Sequence, residues 1–193
     1  MKILYINAAV RPDSRTKRIA MYLLDRIPAE KKIINLEDED IKPLNNKLLE
    51  LRTRLIAEQD FNNAIFHYAK DYVDADMIII VAPYWDLSFP AILKNYIETV
   101  NVNGIVFRYT DKGDVEGLCK AKKLIYITTS GGKIVSDEYG FGYIKELAQN
   151  FHGIKDFEYI KAEELDIRDA KVEEILEKTE KKIDKILSDI NQS

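Results

Sequence analysis

Met77-Ile78-Ile79-Ile80-Val81-Ala82-Pro83-Tyr84-Trp85-Asp86-Leu87-Ser88-Phe89-Pro90 decides how this chain is read. The first five residues are apolar without alternation, as a strand must be when helices cover both of its faces. Tyr84 and Trp85, held between Pro83 and Pro90, make a stiff loop with large flat side chains. A planar ring could pack on such a loop while backbone N–H groups reach its heteroatoms, and aromatic packing beneath the loop would account for the composition equally well. Pro90 then stands at the expected first position of a helix, with Ile92, Leu93, Tyr96, Ile97 and Val100 at helical spacing.

Outward from this unit, four further strands are expected at Ile3–Ile6, Lys32–Leu36, Lys123–Thr128 and Phe157–Ile160. Helical patterns lie between and after them. Thr16 to Ile27 carries Ile19, Tyr22, Leu23 and Ile27; Glu138 to Phe151 and Ala170 to Ile190 follow the later strands. Lys47 to Tyr72 is mostly helical, behind the acidic loop Glu37–Asp40. The alternation βαβαβαβαβα predicts one α/β domain over residues 1–193, a doubly wound five-stranded parallel sheet with right-handed crossovers.

Composition narrows the function classes. Among 193 residues, 46% are hydrophobic and 32% charged, the balance of a globular chain. A net charge of -4 leaves no basic excess for nucleic acid. Two histidines and one cysteine argue against a zinc site. Cys119 neighbours Lys120, Lys122 and Lys123, which favour a thiolate, but no base or resolving cysteine is near it in sequence, so it reads as an incidental thiol. The chain opens on a strand pattern and holds no apolar run of ~20 residues, so no membrane span and a cytoplasmic location are expected.

In such sheets ligands bind beyond the carboxyl ends of the strands where the strand order reverses, which for the order 2-1-3-4-5 is between the first and third strands. Three loops should meet there. After the first strand, Asn7 to Thr16 lacks the glycine patterns of dinucleotide folds and P-loops, yet it places Ser14 and Thr16 at a helix N-terminus. Free amides and the helix dipole suit a phosphate there, although Ser14 also fits a plain N-cap. Ala82 to Pro90 follows the third strand. Thr128-Thr129-Ser130-Gly131-Gly132 follows the fourth, where paired glycines let backbone approach a ligand or simply make a turn. No catalytic acid, base or metal ligand is nominated.

Several of these segments together resemble the FMN-dependent NADH:quinone oxidoreductase and azoreductase family. Ala82 to Glu98 is similar to its A-P-M-Y-N-F-x-I-P-x-x-L-K-N-Y-F-D, Thr128 to Gly132 to its T-S-R-G-G, and Ala162-Glu163 to its A-E; Phe107–Thr110, Gly117-Leu118 and Lys122-Lys123 also match. The resemblance implies a flavodoxin-like fold, a doubly wound five-stranded parallel sheet of strand order 2-1-3-4-5, and bound FMN, with Ser14, Arg15 and Thr16 on the phosphate. Pro83 and Tyr84 to Leu87 (including Trp85 and Asp86) would lie along the isoalloxazine, and Thr129, Ser130, Gly131 and Gly132 at its pyrimidine side. Tyr84, Trp85, Phe89 and Phe107 would form the apolar walls for substrate. It further implies a homodimer and two-electron ping-pong hydride transfer from NADH or NADPH to quinone, azo or nitroaromatic acceptors. A flavodoxin-type electron carrier without NAD(P)H turnover is the alternative. Three departures from the family pattern bear on the site: Ala8 for serine, Asp86 for asparagine and Ser130 for arginine. A carboxylate at 86 close to the ring would disfavour anionic reduced flavin unless it turned to solvent.

Overall fold

In the computed structural model, which describes residues 1–190, five parallel strands pair in the order β2-β1-β3-β6-β7. They are β1 (Lys2–Asn7), β2 (Glu30–Asn35), β3 (Met77–Val81), β6 (Lys123–Thr129) and β7 (Asp156–Ala162). Numbered among themselves these are strands 2-1-3-4-5, the order expected. Alternate residues of the apolar strands face opposite sides. Leu4, Ile6, Ile78, Ile80, Leu124 and Tyr126 pack with Tyr72, Leu93, Tyr96 and Ile144 on one side. Ile3, Tyr5, Ile79, Val81, Ile125 and Ile127 pack with Ile19, Leu23, Leu176 and Ile183 on the other. A continuous apolar run is therefore two half-patterns, each completed by a different helical layer.

The helices are α1 (Arg15–Leu24), α2 (Asn46–Ala57), α3 (His67–Asp74), α4 (Ala91–Val100), α5 (Tyr143–Leu147) and α6 (Val172–Ile190). Several boundaries depart from the sequence reading. Pro90 is the N-cap of α4, with extended backbone, and Ala91 is the first helical residue. The α1 helix stops at Leu24, and Ile27 is buried beyond its end. The helical stretch at 47–72 breaks into α2 and α3, with Gln59 left-handed in the connection. α5 is short because π-helical turns flank it at Glu138–Gly142 and Ala148–His152.

The antiparallel hairpin β4 (Phe107–Tyr109) with β5 (Val115–Gly117) was not anticipated as strand. Two three-residue strands are too short to show a period. The sheet ladder also continues past its strand ends: Ala8 N–H donates to Val81 O (2.7 Å), Ala82 N–H to Ile127 O (3.0 Å), Tyr84 N–H to Thr129 O (2.9 Å) and Ser130 N–H to Ala162 O (3.0 Å). These bonds hold four loops side by side on the carboxyl edge.

Candidate functional site

The first loop is organised by Ser14, the N-cap of α1, whose hydroxyl oxygen accepts from Lys17 N–H at 3.2 Å. Its O–H remains able to donate, so capping and anion binding are compatible. The first turn holds no acidic residue, and its amides have no carbonyl one turn earlier within the helix. Thr16 is buried and shares a 2.6 Å hydrogen bond with the Thr129 hydroxyl, which joins the first loop to the fourth-strand loop. Arg15 reaches the loop after β7: its Nη1 donates to Asp166 Oδ1 at 2.6 Å and to Leu165 O at 3.2 Å.

The loop after β3 ends in a tight hairpin. Trp85 and Ser88 exchange both backbone hydrogen bonds, at 3.1 and 2.8 Å. Asp86 (φ 49°) and Leu87 (φ 66°) between them are both left-handed, as two-residue hairpin turns require. Left-handed backbone costs a leucine about 1–2 kcal/mol. Replacing Leu87 with glycine should therefore stabilise the protein by about 0.5–1 kcal/mol after glycine's extra chain entropy is allowed for. A urea midpoint raised at unchanged slope would register it, and a lowered midpoint would mean that the exposed leucine packs on something. The Ser88 hydroxyl ties this hairpin to the π turn before α5, donating to Tyr139 O at 2.5 Å.

These loops enclose a cleft of about 370 Å³ lined by Ala9, Val10, Arg11, Asp13, Ser14, Arg15, Thr16, Pro83, Tyr84, Trp85, Thr129, Ser130, Gly131, Leu165 and Asp166. That is within the size range of small-molecule and cofactor sites. The Tyr84 hydroxyl is buried with no hydrogen-bond partner among the described residues, a donor left over on a cleft-lining residue. Amides, the Ser14 hydroxyl, Arg11 and Arg15 supply donors suited to a phosphate, against carboxylates at Asp13 and Asp166. A flat wall of Pro83, Tyr84 and Trp85 faces the same space. The donor set and the aromatic wall together fit a phosphorylated ring cofactor.

Not every nominated residue lies on the cleft. Asp86 and Leu87 are at the exposed hairpin tip, with the Asp86 carboxylate in solvent, and Gly132 is exposed beyond the glycine turn. Phe89 lines a separate groove with Tyr139 and Tyr143, its ring 5.7 Å from that of Tyr143. Phe107 is buried between Tyr109 and Phe151 in the core. The space left by Gly131 is taken from within the chain: a Cβ there would lie 2.7 Å from Asp166 Oδ2. Cys119 is packed near Val106 O, and burial pushes its thiol up to about 12, which overrides the neighbouring lysines. Arg11, Asp13, Leu165 and Asp166 were not singled out from sequence, though the end of the fifth strand was a topological signal for the last two.

Sheet order and a cleft at the switch point define a flavodoxin-like protein, and the family profile described as flavodoxin-like fold matches residues 1–187. An FMN-dependent NADH:quinone oxidoreductase of Clostridium perfringens (strain ATCC 13124) is 40% identical over 200 residues, covering 97% of this chain and 96% of the relative. One from Clostridium beijerinckii is 38% identical over 185 residues, covering 91% and 92%. Among solved structures, an azoreductase from Bacillus anthracis superposes with a TM-score of 0.84 at 21% identity, covering 97% of this chain and 98% of that one. The chain belongs to the family of FMN-dependent NADH:quinone oxidoreductases.

Proposed function

We propose that this protein is an FMN-dependent NAD(P)H oxidoreductase that reduces quinones and azo or nitroaromatic compounds in a ping-pong cycle. The observation that carries the reading is the meeting of Ser14–Thr16, Pro83–Trp85 and Thr129–Gly131 on one cleft, in a chain whose relatives are named FMN-dependent NADH:quinone oxidoreductases. Ser14, the first-turn amides and Arg15 hold the cofactor phosphate. Pro83, Tyr84 and Trp85 would support the ring system. Thr129, Ser130 and Gly131 would border it with backbone groups. Bound FMN supplies two-electron transfer, so that reduced nicotinamide and the acceptor use one site in turn. Trp85, 40% exposed, and Tyr84 offer the apolar wall against which a flat substrate aligns. Asp86, Leu87, Phe89, Phe107 and Gly132 are left out of the assignment because none of them lines the cleft.

One FMN-binding domain over residues 1–193, a twofold homodimer and a cytoplasmic location belong to the same reading. Among the described residues no helix is long and apolar enough to cross a membrane. Anaerobic stopped-flow mixing of the FMN-loaded protein with NADH or NADPH tests the activity. Flavin absorbance should bleach with either or both nucleotides and recover on adding a quinone or an azo dye. Flavin that stays oxidised with both nucleotides would make the protein an electron carrier instead.

A further inference from the structure

The Arg15–Asp166 pair crosses the cleft between its first and last loops. Both side chains are largely solvated, at 40% and 67% exposure. An ion pair so exposed contributes about 0–1 kcal/mol to folding, so its stabilising effect does not account for the care with which it is built. The Asp166 N–H donates to Gly131 O at 2.9 Å, and Leu165 N–H to Ser130 O at 3.2 Å, which pins the backbone that carries the carboxylate. Position 131 is a glycine, leaving the room that Asp166 Oδ2 occupies. On the other side, Asp166 Oδ1 and Leu165 O both engage the same atom of Arg15, its Nη1. A guanidinium carries five N–H donors. With one nitrogen's two hydrogens committed, the three on Nε and Nη2 have no partner among the described residues.

Resting on the FMN reading above, we propose that Asp166 is a positioning residue for phosphate recognition. By holding Arg15 at one nitrogen, it aims the remaining donors at the phosphate and so gives the cleft its preference for FMN over riboflavin. A free arginine side chain must give up several rotatable bonds when it binds an anion, and a tethered one has lost them beforehand. The tether carries a negative charge that repels the phosphate, so the proposal requires the gain in order at Arg15 to outweigh that repulsion. Asp13 and Arg11, which also line the cleft, contribute opposite charges that remain constant in the comparison.

Full-length protein freed of flavin would be titrated with FMN and with riboflavin, following flavin fluorescence, for wild type, Asp166→Ala, Asp166→Asn, Arg15→Ala and the Arg15→Ala/Asp166→Ala double variant. Asp166→Ala should raise the FMN Kd about tenfold, leave the riboflavin Kd unchanged within about twofold and leave thermal stability within about 2 °C. Asp166→Asn, which keeps an acceptor oxygen for Nη1, should recover most of the loss. In the Arg15→Ala background, Asp166→Ala should have no further effect on FMN. Tighter FMN binding in both Asp166 variants would make the carboxylate a competitor of the phosphate and overturn the proposal. Equal weakening of FMN and riboflavin would reduce Asp166 to a loop support, and an unchanged FMN Kd would remove its role. If wild type binds neither flavin, the FMN reading itself falls, whereas every other contrary result leaves that reading standing.

Discussion

Gly117→Ala should destabilise the protein by about 3 kcal/mol or more, and lower its thermal midpoint by roughly 10 °C. The cause is a backbone approach. A Cβ on Gly117 would lie 2.2 Å from Gly153 N, 2.2 Å from His152 C and 2.5 Å from His152 O. None of these atoms can rotate away, because they belong to the end of a helical run closed by Gly153 in left-handed conformation (φ 80°). β5 therefore lies flat on that turn, and Cys119 N–H donates to His152 O just beyond it (3.3 Å). Gly113→Ala is the control: its φ is 85°, but a Cβ there meets nothing within 4 Å among the described residues, so only the backbone strain of about 1–2 kcal/mol applies. Urea unfolding of both variants would decide the matter. A Gly117→Ala protein within 1 kcal/mol of wild type would mean that the hairpin is not docked as described.

The second large effect is loss of stability in mild acid, centred on His152. This imidazole is 2% exposed. Its Nε2 lies 2.9 Å from Asn101 Oδ1 and its Nδ1 3.0 Å from the Tyr72 hydroxyl. The Asn101 oxygen can only accept, so Nε2 carries the proton and the Tyr72 hydroxyl donates to Nδ1. The neutral ring is thus satisfied on both sides. Burial lowers its pKa from 6.5 to about 4. Above pH 6.5 the ring is neutral whether the chain is folded or unfolded, and stability does not respond to it. Between pH 6.5 and pH 4 the unfolded chain binds a proton that the folded one refuses, so stability falls as the pH falls. At about 1.4 kcal/mol per pH step, the loss reaches about 3 kcal/mol at pH 4 and levels off below. His152→Gln should be less stable than wild type at pH 7, and that gap should shrink by about the same 3 kcal/mol at pH 4. Parallel stability–pH curves for the two proteins would show that other groups carry the acid response.

Local pattern was a sound guide wherever a residue's environment is set by its own neighbours in sequence. Met77–Val81 is apolar throughout because both faces are covered. Ser14 was legible as a helix start, and so was the convergence of three loops, since strand order alone brings them to one edge. The glycine pair was legible as a place of close approach, though not what approaches: Asp166 lies 35 residues away and meets Gly131 only through the pairing of β6 with β7.

What the linear pattern could not decide was which side chains turn into the cleft. Trp85 and Phe89 are four residues apart in one loop. Two left-handed residues between them reverse the chain, so that Trp85 lines the cleft while Phe89 packs on Tyr143. Phe107 carries the same apolar chemistry as a cleft wall, yet the short β4–β5 hairpin delivers it to the core against Phe151. Strand periods and helix caps are short-range preferences, readable from a few adjacent residues. The direction of a side chain in a loop, and the partner that a charge such as Arg15 finds, depend on segments that meet only once the sheet has formed.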